Sequence, residues 1–183
     1  MHPNLSVLPG VDLSPYPWMK PALQEYGTSR VAGHPDANPR VIEYLRVVGL
    51  PRKGKDDDES WCSAFVNWCM KQLNIRGSMG GLARGWLRWG QAIGQPVFGC
   101  IVVLKRDPDP RKGHVGFFVG RDGSDVMLLG GNQTLTEHRV KIRSLVCVAT
   151  YDGDRVLGYR WPADRPLPKD PSAPPALFPL LNN

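Results

Sequence analysis

A thiol at the head of a helix can serve as a nucleophile, and Cys62 has that setting. It follows Asp58-Glu59-Ser60-Trp61 and opens a run whose apolar positions, Cys62, Phe65, Val66, Cys69, Met70 and Leu73, recur at i, i+3 and i+4. Ser63, Asn67, Lys71 and Gln72 fall off that stripe. In the first turn of a helix the unpaired N–H groups and the dipole favour a thiolate. The same N–H groups can stabilise the oxyanion of a tetrahedral intermediate. The competing reading is a small core residue, because free cysteine is among the most buried residue types. Cys69 lies on the same stripe two turns later, without the dipole, and is read as packing. Cys100 and Cys147 fall in strand-like runs and are read as core.

A nucleophilic thiol needs a base within hydrogen-bond reach and a third group to hold that base in one tautomer. His114 opens the strand-like run Gly113–Gly120, and the turn Arg121-Asp122-Gly123-Ser124 leads back through Val126–Leu129 to Gly130-Gly131-Asn132-Gln133. A hairpin centred on Gly123 sets Asn132 opposite His114, where its amide oxygen can accept from the imidazole. A centre half a residue earlier sets Gly131 there and turns Asn132 away. Spacing alone leaves both registers open. His2, His34 and His138 have no comparable setting, and His34 with Asp36 supplies only two neighbouring ligands. No metal or cofactor is expected.

These residues require helices first and strands second. A short helix is read around Trp18–Tyr26. Asn38 and Pro39 read as N-cap and first helical position of another, which Gly49 and Pro51 stop. The third begins near Trp61, and Leu82–Ile93 is read as a fourth, carrying Trp86 and Trp89. From Gly99 onward the runs Cys100–Leu104, His114–Val119, Val126–Leu129, Arg139–Ile142, Leu145–Thr150 and Val156–Trp161 are β-rich and separated by turn residues. The expectation is an α+β domain, N-terminal helices packed on an antiparallel sheet. It spans residues 36–162, between a Pro-rich N-terminal extension, 1–35, and a Pro-rich C-terminal tail, 163–183. Arg52–Glu59 reads as a charged linker.

Bulk properties exclude several classes. The chain of 183 residues carries a formal charge of +6, which attracts it to polyanionic surfaces. Its Lys and Arg residues are scattered, so no nucleic-acid partner is expected. Apolar runs such as Ile101–Leu104 are too short to cross a bilayer, so no membrane insertion is expected. Met1-His2-Pro3-Asn4 shows no secretory signal, which implies synthesis in the cytoplasm and another route if the protein works outside it. Four cysteines without a C-x-x-C pair suit a reduced birthplace.

The string Trp61-Cys62-Ser63-Ala64-Phe65-Val66-Asn67-Trp68 resembles the nucleophile helix of CHAP and NlpC/P60-type peptidoglycan hydrolases. Asn38–Leu45, Ala83–Gly90, Gly113–Gly120, Gly130–Gln133 and Leu157–Pro162 match in order, covering roughly residues 36–162. The resemblance implies a papain-like NlpC/P60-type fold with Cys62 as nucleophile, His114 as base and Asn132 as orienter. Two positions depart from the pattern: Gly130 stands where many CHAP proteins have Glu, and Cys100 where relatives often have Asp. The implied activity is hydrolysis of an amide in the cell-wall peptide, with the Cys62 N–H as one oxyanion donor and Gln133 as candidate for the second. Trp61, Trp86 and Trp89 are candidates to line the substrate groove, with core packing as their alternative role. A wall hydrolase without a secretory signal suggests a phage lysin or an interbacterial secreted effector, which acts on the wall after export or lysis. An effector implies an immunity protein and a secretion-machine carrier as partners. The rival readings are an inert wall-binding or partner-binding module, and a papain-like acyltransferase or protease acting on another substrate.

Overall fold

A computed structural model describes residues 12–30, 38–50, 60–137 and 140–168. His2, His34, Asp36, the charged linker 52–59, His138 and the tail from residue 169 lie outside the described residues.

Among the described residues, three α-helices precede the sheet: α1 (Met19–Gln24), α2 (Pro39–Val47) and α3 (Cys62–Gln72). Asn38 caps α2 as its sequence requires, its side chain accepting from the Arg40 N–H at 2.9 Å, with Pro39 at the first helical position. Six antiparallel strands follow among the described residues: β1 (Gln91–Ile93), β2 (Ile101–Lys105), β3 (Gly113–Asp122), β4 (Asp125–Glu137), β5 (Val140–Tyr151) and β6 (Val156–Trp161). They lie in the order β1-β6-β2-β3-β4-β5. This is the expected α+β architecture of helices on an antiparallel sheet, with α3 packed across β3 and β4 and flanked by α1 and α2.

Three features differ from the sequence expectation. Leu82–Ile93 is not one helix. A 3₁₀ segment, Ala83–Arg88, gives way to β1, because Gly90 turns the chain at φ 58° against the carbonyl of Trp161. The two runs expected at 139–142 and 145–150 are one strand, β5, bent where Ser144 adopts φ 56°. The α3 stripe is also wider than its periodicity suggests. Every residue from Cys62 to Met70 is buried, Ser63 and Asn67 included. Their polar groups are satisfied by the loop that covers them: Ser63 Oγ donates to the Gly80 carbonyl at 2.7 Å, and the Met79 N–H donates to Asn67 Oδ1 at 3.0 Å.

Residues 12–30 pack into the same core as the helices and sheet. Trp18, Met19 and Ala22 are fully buried, and Trp18 meets Trp161 of β6 edge to face at 5.1 Å. The chain then runs along the outer edge of β5, with the Gly27 N–H donating to the Val146 carbonyl and the Arg30 N–H to the Ser144 carbonyl, both at 2.8 Å. The outer edge of β5 is thereby covered over residues 144–146.

Candidate active site

Cys62 is the first residue of α3, and Trp61 at the N-cap makes no side-chain capping bond. Burial pushes the Cys62 thiol up, but the hydrogen bond and charge of His114 pull it down further, helped by Ser60 and the Val115 backbone. The result is a thiol below its ordinary range. Ser60 Oγ lies 3.7 Å from Cys62 Sγ. The other three cysteines show what burial does without such partners. Cys100 and Cys147 are pushed up to about 12, and Cys69 is pushed well above its ordinary value by burial and by Glu25.

His114 stands near the start of β3, opposite Leu104 of β2, and is 9 % exposed. Its Nε2 lies 2.8 Å from Gln133 Oε1. The orientation of that amide is dictated from its other end, where Gln133 Nε2 donates to the carbonyls of Leu128 at 3.1 Å and Cys147 at 2.5 Å. Two carbonyls can face only the NH₂ group, so the oxygen must face the imidazole and the Tyr151 hydroxyl, which donates to it at 3.0 Å. Burial, followed by the Cys147 and Cys62 thiols, raises Tyr151 and keeps that hydroxyl protonated. His114 Nε2 therefore carries a proton, and Nδ1 is left for Cys62.

The side chain that meets the imidazole is thus Gln133, and Asn132 does not reach it. The β3–β4 loop is Gly123-Ser124, centred half a residue later than the first expected centre and a full residue later than the second, with Asp122 opposite Asp125. A bulge between Phe118 and Gly120 then restores the register that pairs Phe117 with Leu129. Extending that ladder would set Asn132 opposite His114, but a second irregularity intervenes. Asn132 has φ 58°, and β4 gains one residue on β5 between Gly130 and Gln133. One extra residue reverses the alternation of side chains, so Gln133 turns inward, where it is 2 % exposed. Asn132 turns to the rim, its Nδ2 3.5 Å from Ser60 Oγ. Gly130 makes room: a Cβ there would sit 3.0 Å from Gln133 Oε1. The signals for this arrangement were the missing side chains at Gly130 and Gly131 and the tolerance of Asn for positive φ.

The tryptophans do not line the groove beside Cys62. Trp61 and Trp86 are fully buried, Trp61 against Tyr44 and Trp86 with its Nε1 donating to Ser63 Oγ at 3.0 Å. Trp89 borders an adjoining hollow, formed with Arg76–Leu82, that meets the one beside Cys62 at Gly81 and Leu82. Nor is Gln133 an oxyanion donor, since both of its amide bonds are made to buried carbonyls. Two hollows meet at Ser60, Arg106 and Gly113. One of about 450 Å³ lies beside Cys62 and is bordered by Leu82, Ala83, Asp109 and Lys112. The other, of about 260 Å³, lies beside His114 and is bordered by Asn132, Thr134, Thr150 and Arg155.

A thiol lowered by an imidazole, at the junction of a helix head and an antiparallel sheet, has the chemistry of a nucleophile beside its base. Residues 54–132 match the model of the CHAP domain family, a stretch that holds Cys62, His114 and Asn132, and over it the chain is CHAP-like. The match ends one residue before Gln133. Among solved structures, that of the wild-type endolysin LysIME-EF1 is similar at 20% identity, with a TM-score of 0.43 over 68% of this chain and 63% of that one. The chain thus matches less than two thirds of the length of that protein. No curated protein matches the chain.

Proposed function

We propose that the protein is a cysteine amidohydrolase of the bacterial cell wall, acting on an amide of the peptidoglycan stem peptide. His114 Nδ1 takes the proton of Cys62, and the thiolate adds to the amide carbonyl. The Cys62 N–H receives the oxyanion, and the Ser60 hydroxyl, at the meeting of the two hollows, is the candidate for second donor. As the C–N bond breaks, the proton on His114 passes to the leaving amine. Water, deprotonated by the same nitrogen, then hydrolyses the thioester and restores the thiol. Gln133 holds the imidazole in the tautomer these steps need.

The observation that carries this reading is the contrast among four buried cysteines, of which only the one facing His114 is lowered. The test is release of soluble muropeptides from purified sacculi. Wild type is expected to release them, and Cys62→Ala and His114→Ala to fall to background; equal release by all three would overturn the proposal. Expression with and without a periplasmic leader separates a wall target, toxic only in the exported form, from a cytoplasmic one.

A further inference from the structure

We propose that the hollow beside His114 is a subsite for a carboxylate carried by the leaving fragment of the substrate, bound by Arg106 and Arg155. The inference rests on the cell-wall reading above and adds to it which side of the cut bond is recognised, and by what charge.

The two hollows differ in chemistry. On the Cys62 side, Leu82 and Ala83 contribute apolar surface, Asp109 accepts from Arg111 at 3.1 and 3.2 Å and Lys112 stands beside them, so that wall carries charge of both signs, with Arg106 at the junction of the two hollows. The His114 side is bordered by two guanidinium groups and by the hydroxyls of Ser60, Thr134, Thr150 and Tyr151, with no carboxylate on its walls among the described residues. Among the described residues, neither Arg106 nor Arg155 is in an ion pair. Arg155 is also held in place. Its Nε and Nη2 donate to the Lys105 carbonyl at 3.3 and 3.2 Å, and its guanidinium lies 5.2 Å from the centre of the Tyr151 ring. Those bonds leave Nη1 as the edge for an anion. A guanidinium already ordered by its neighbours loses little freedom on binding, and its planar fork matches a carboxylate.

Direction follows from the chemistry of the dyad. The proton for the departing amine comes from His114, so the fragment bearing that amine lies over the imidazole and the hollow beyond it. The acyl fragment, bonded to Cys62 Sγ, occupies the larger and more apolar hollow. An anionic group read by Arg155 therefore belongs to the part that leaves.

The experiment compares two muropeptides that differ only in the leaving fragment, once mass spectrometry has identified the cut bond. One carries the free carboxylate, the other the carboxamide. Wild type is expected to favour the carboxylate by about tenfold or more in kcat/KM, expressed mainly in KM, since a charged hydrogen bond is lost in the amide. Arg155→Gln and Arg106→Gln are each expected to reduce that preference, while cleavage of the carboxamide stays within about twofold of wild type. Equal cleavage of both muropeptides by wild type, abolished in Cys62→Ala, overturns the subsite and leaves the cell-wall reading standing. Arginine variants that slow both substrates alike also overturn the subsite. Failure of wild type to cut either one, or sacculi, overturns both.

Discussion

Cys62 is subject to the same desolvation that raises Cys69, Cys100 and Cys147, so its reactivity depends on His114. A lowered thiol is half ionised at a lower pH than an ordinary one, so its alkylation by iodoacetamide should rise at a pH below that of a free cysteine, about 8.5. His114→Ala removes the hydrogen bond and the charge but not the burial, so the curve should move to higher pH. Coincident curves for the two proteins would show that the imidazole does not act on the thiol. Gln133 is the next link. Gln133→Ala removes the acceptor for His114 Nε2 and strands the Leu128 and Cys147 carbonyls, each at a cost of about 1–3 kcal/mol. We expect a lower melting temperature and a fall in kcat of about a hundredfold, the scale of lost base catalysis. Adding Gly130→Glu to that variant returns an acceptor to the vacated space and should recover part of kcat. Gly130→Glu alone meets the Gln133 amide and should only destabilise.

The element that sets this geometry is β4. Its close passage over α3 needs Gly131, where a Cβ would lie 2.4 Å from the Trp61 ring. Its extra residue at Asn132 is answered by Ser144 on β5, so the ladder from Thr134 to Glu137 continues in its earlier alignment. Helix starts, the α3 position of Cys62 and the β6 run were legible because caps and periodicity are local. The identity of the orienting residue was not, because it depends on bulges in two strands, and each one-residue slip exchanges inward and outward side chains. The exact partner of His114 is therefore a property of strand pairing, which hairpin length alone leaves undetermined. This bears on Asn132 directly. Asn132→Gly keeps the positive φ and should retain activity within about twofold, whereas Asn132→Val forces a β-branched residue into that region at about 1–3 kcal/mol and should swing Gln133 away. If the Asn132 amide itself held the imidazole, the glycine variant would be as inactive as Gln133→Ala. Activity and melting temperature measured together decide it.

At the scale of the molecule, the composition of the first thirty residues conceals their role. Proline suggested an extension, yet α1 closes one side of the core and residues 27–30 cover the edge of β5. Glu25, buried between helices, accepts from Arg40, Tyr44 and Thr28 and so ties the end of α1 to α2. Trp18 makes the other attachment, its Nε1 donating to the Gly99 carbonyl at 2.7 Å just before β2. Periodicity could place a helix here but could not show what it covers, since the partners of Trp18 lie some eighty residues or more further along the chain. Trp18→Ala leaves a cavity against Trp161 and an unpaired carbonyl at Gly99, a loss of about 3–5 kcal/mol. That should lower the melting temperature by on the order of 10 °C for a domain of this size. Cys62, His114 and Gln133 are not among these partners of Trp18, so kcat measured well below the melting transition should match wild type. A variant that melts like wild type would show that α1 is not part of the folded core, whereas one that melts early yet works when cold places it there as a purely structural element.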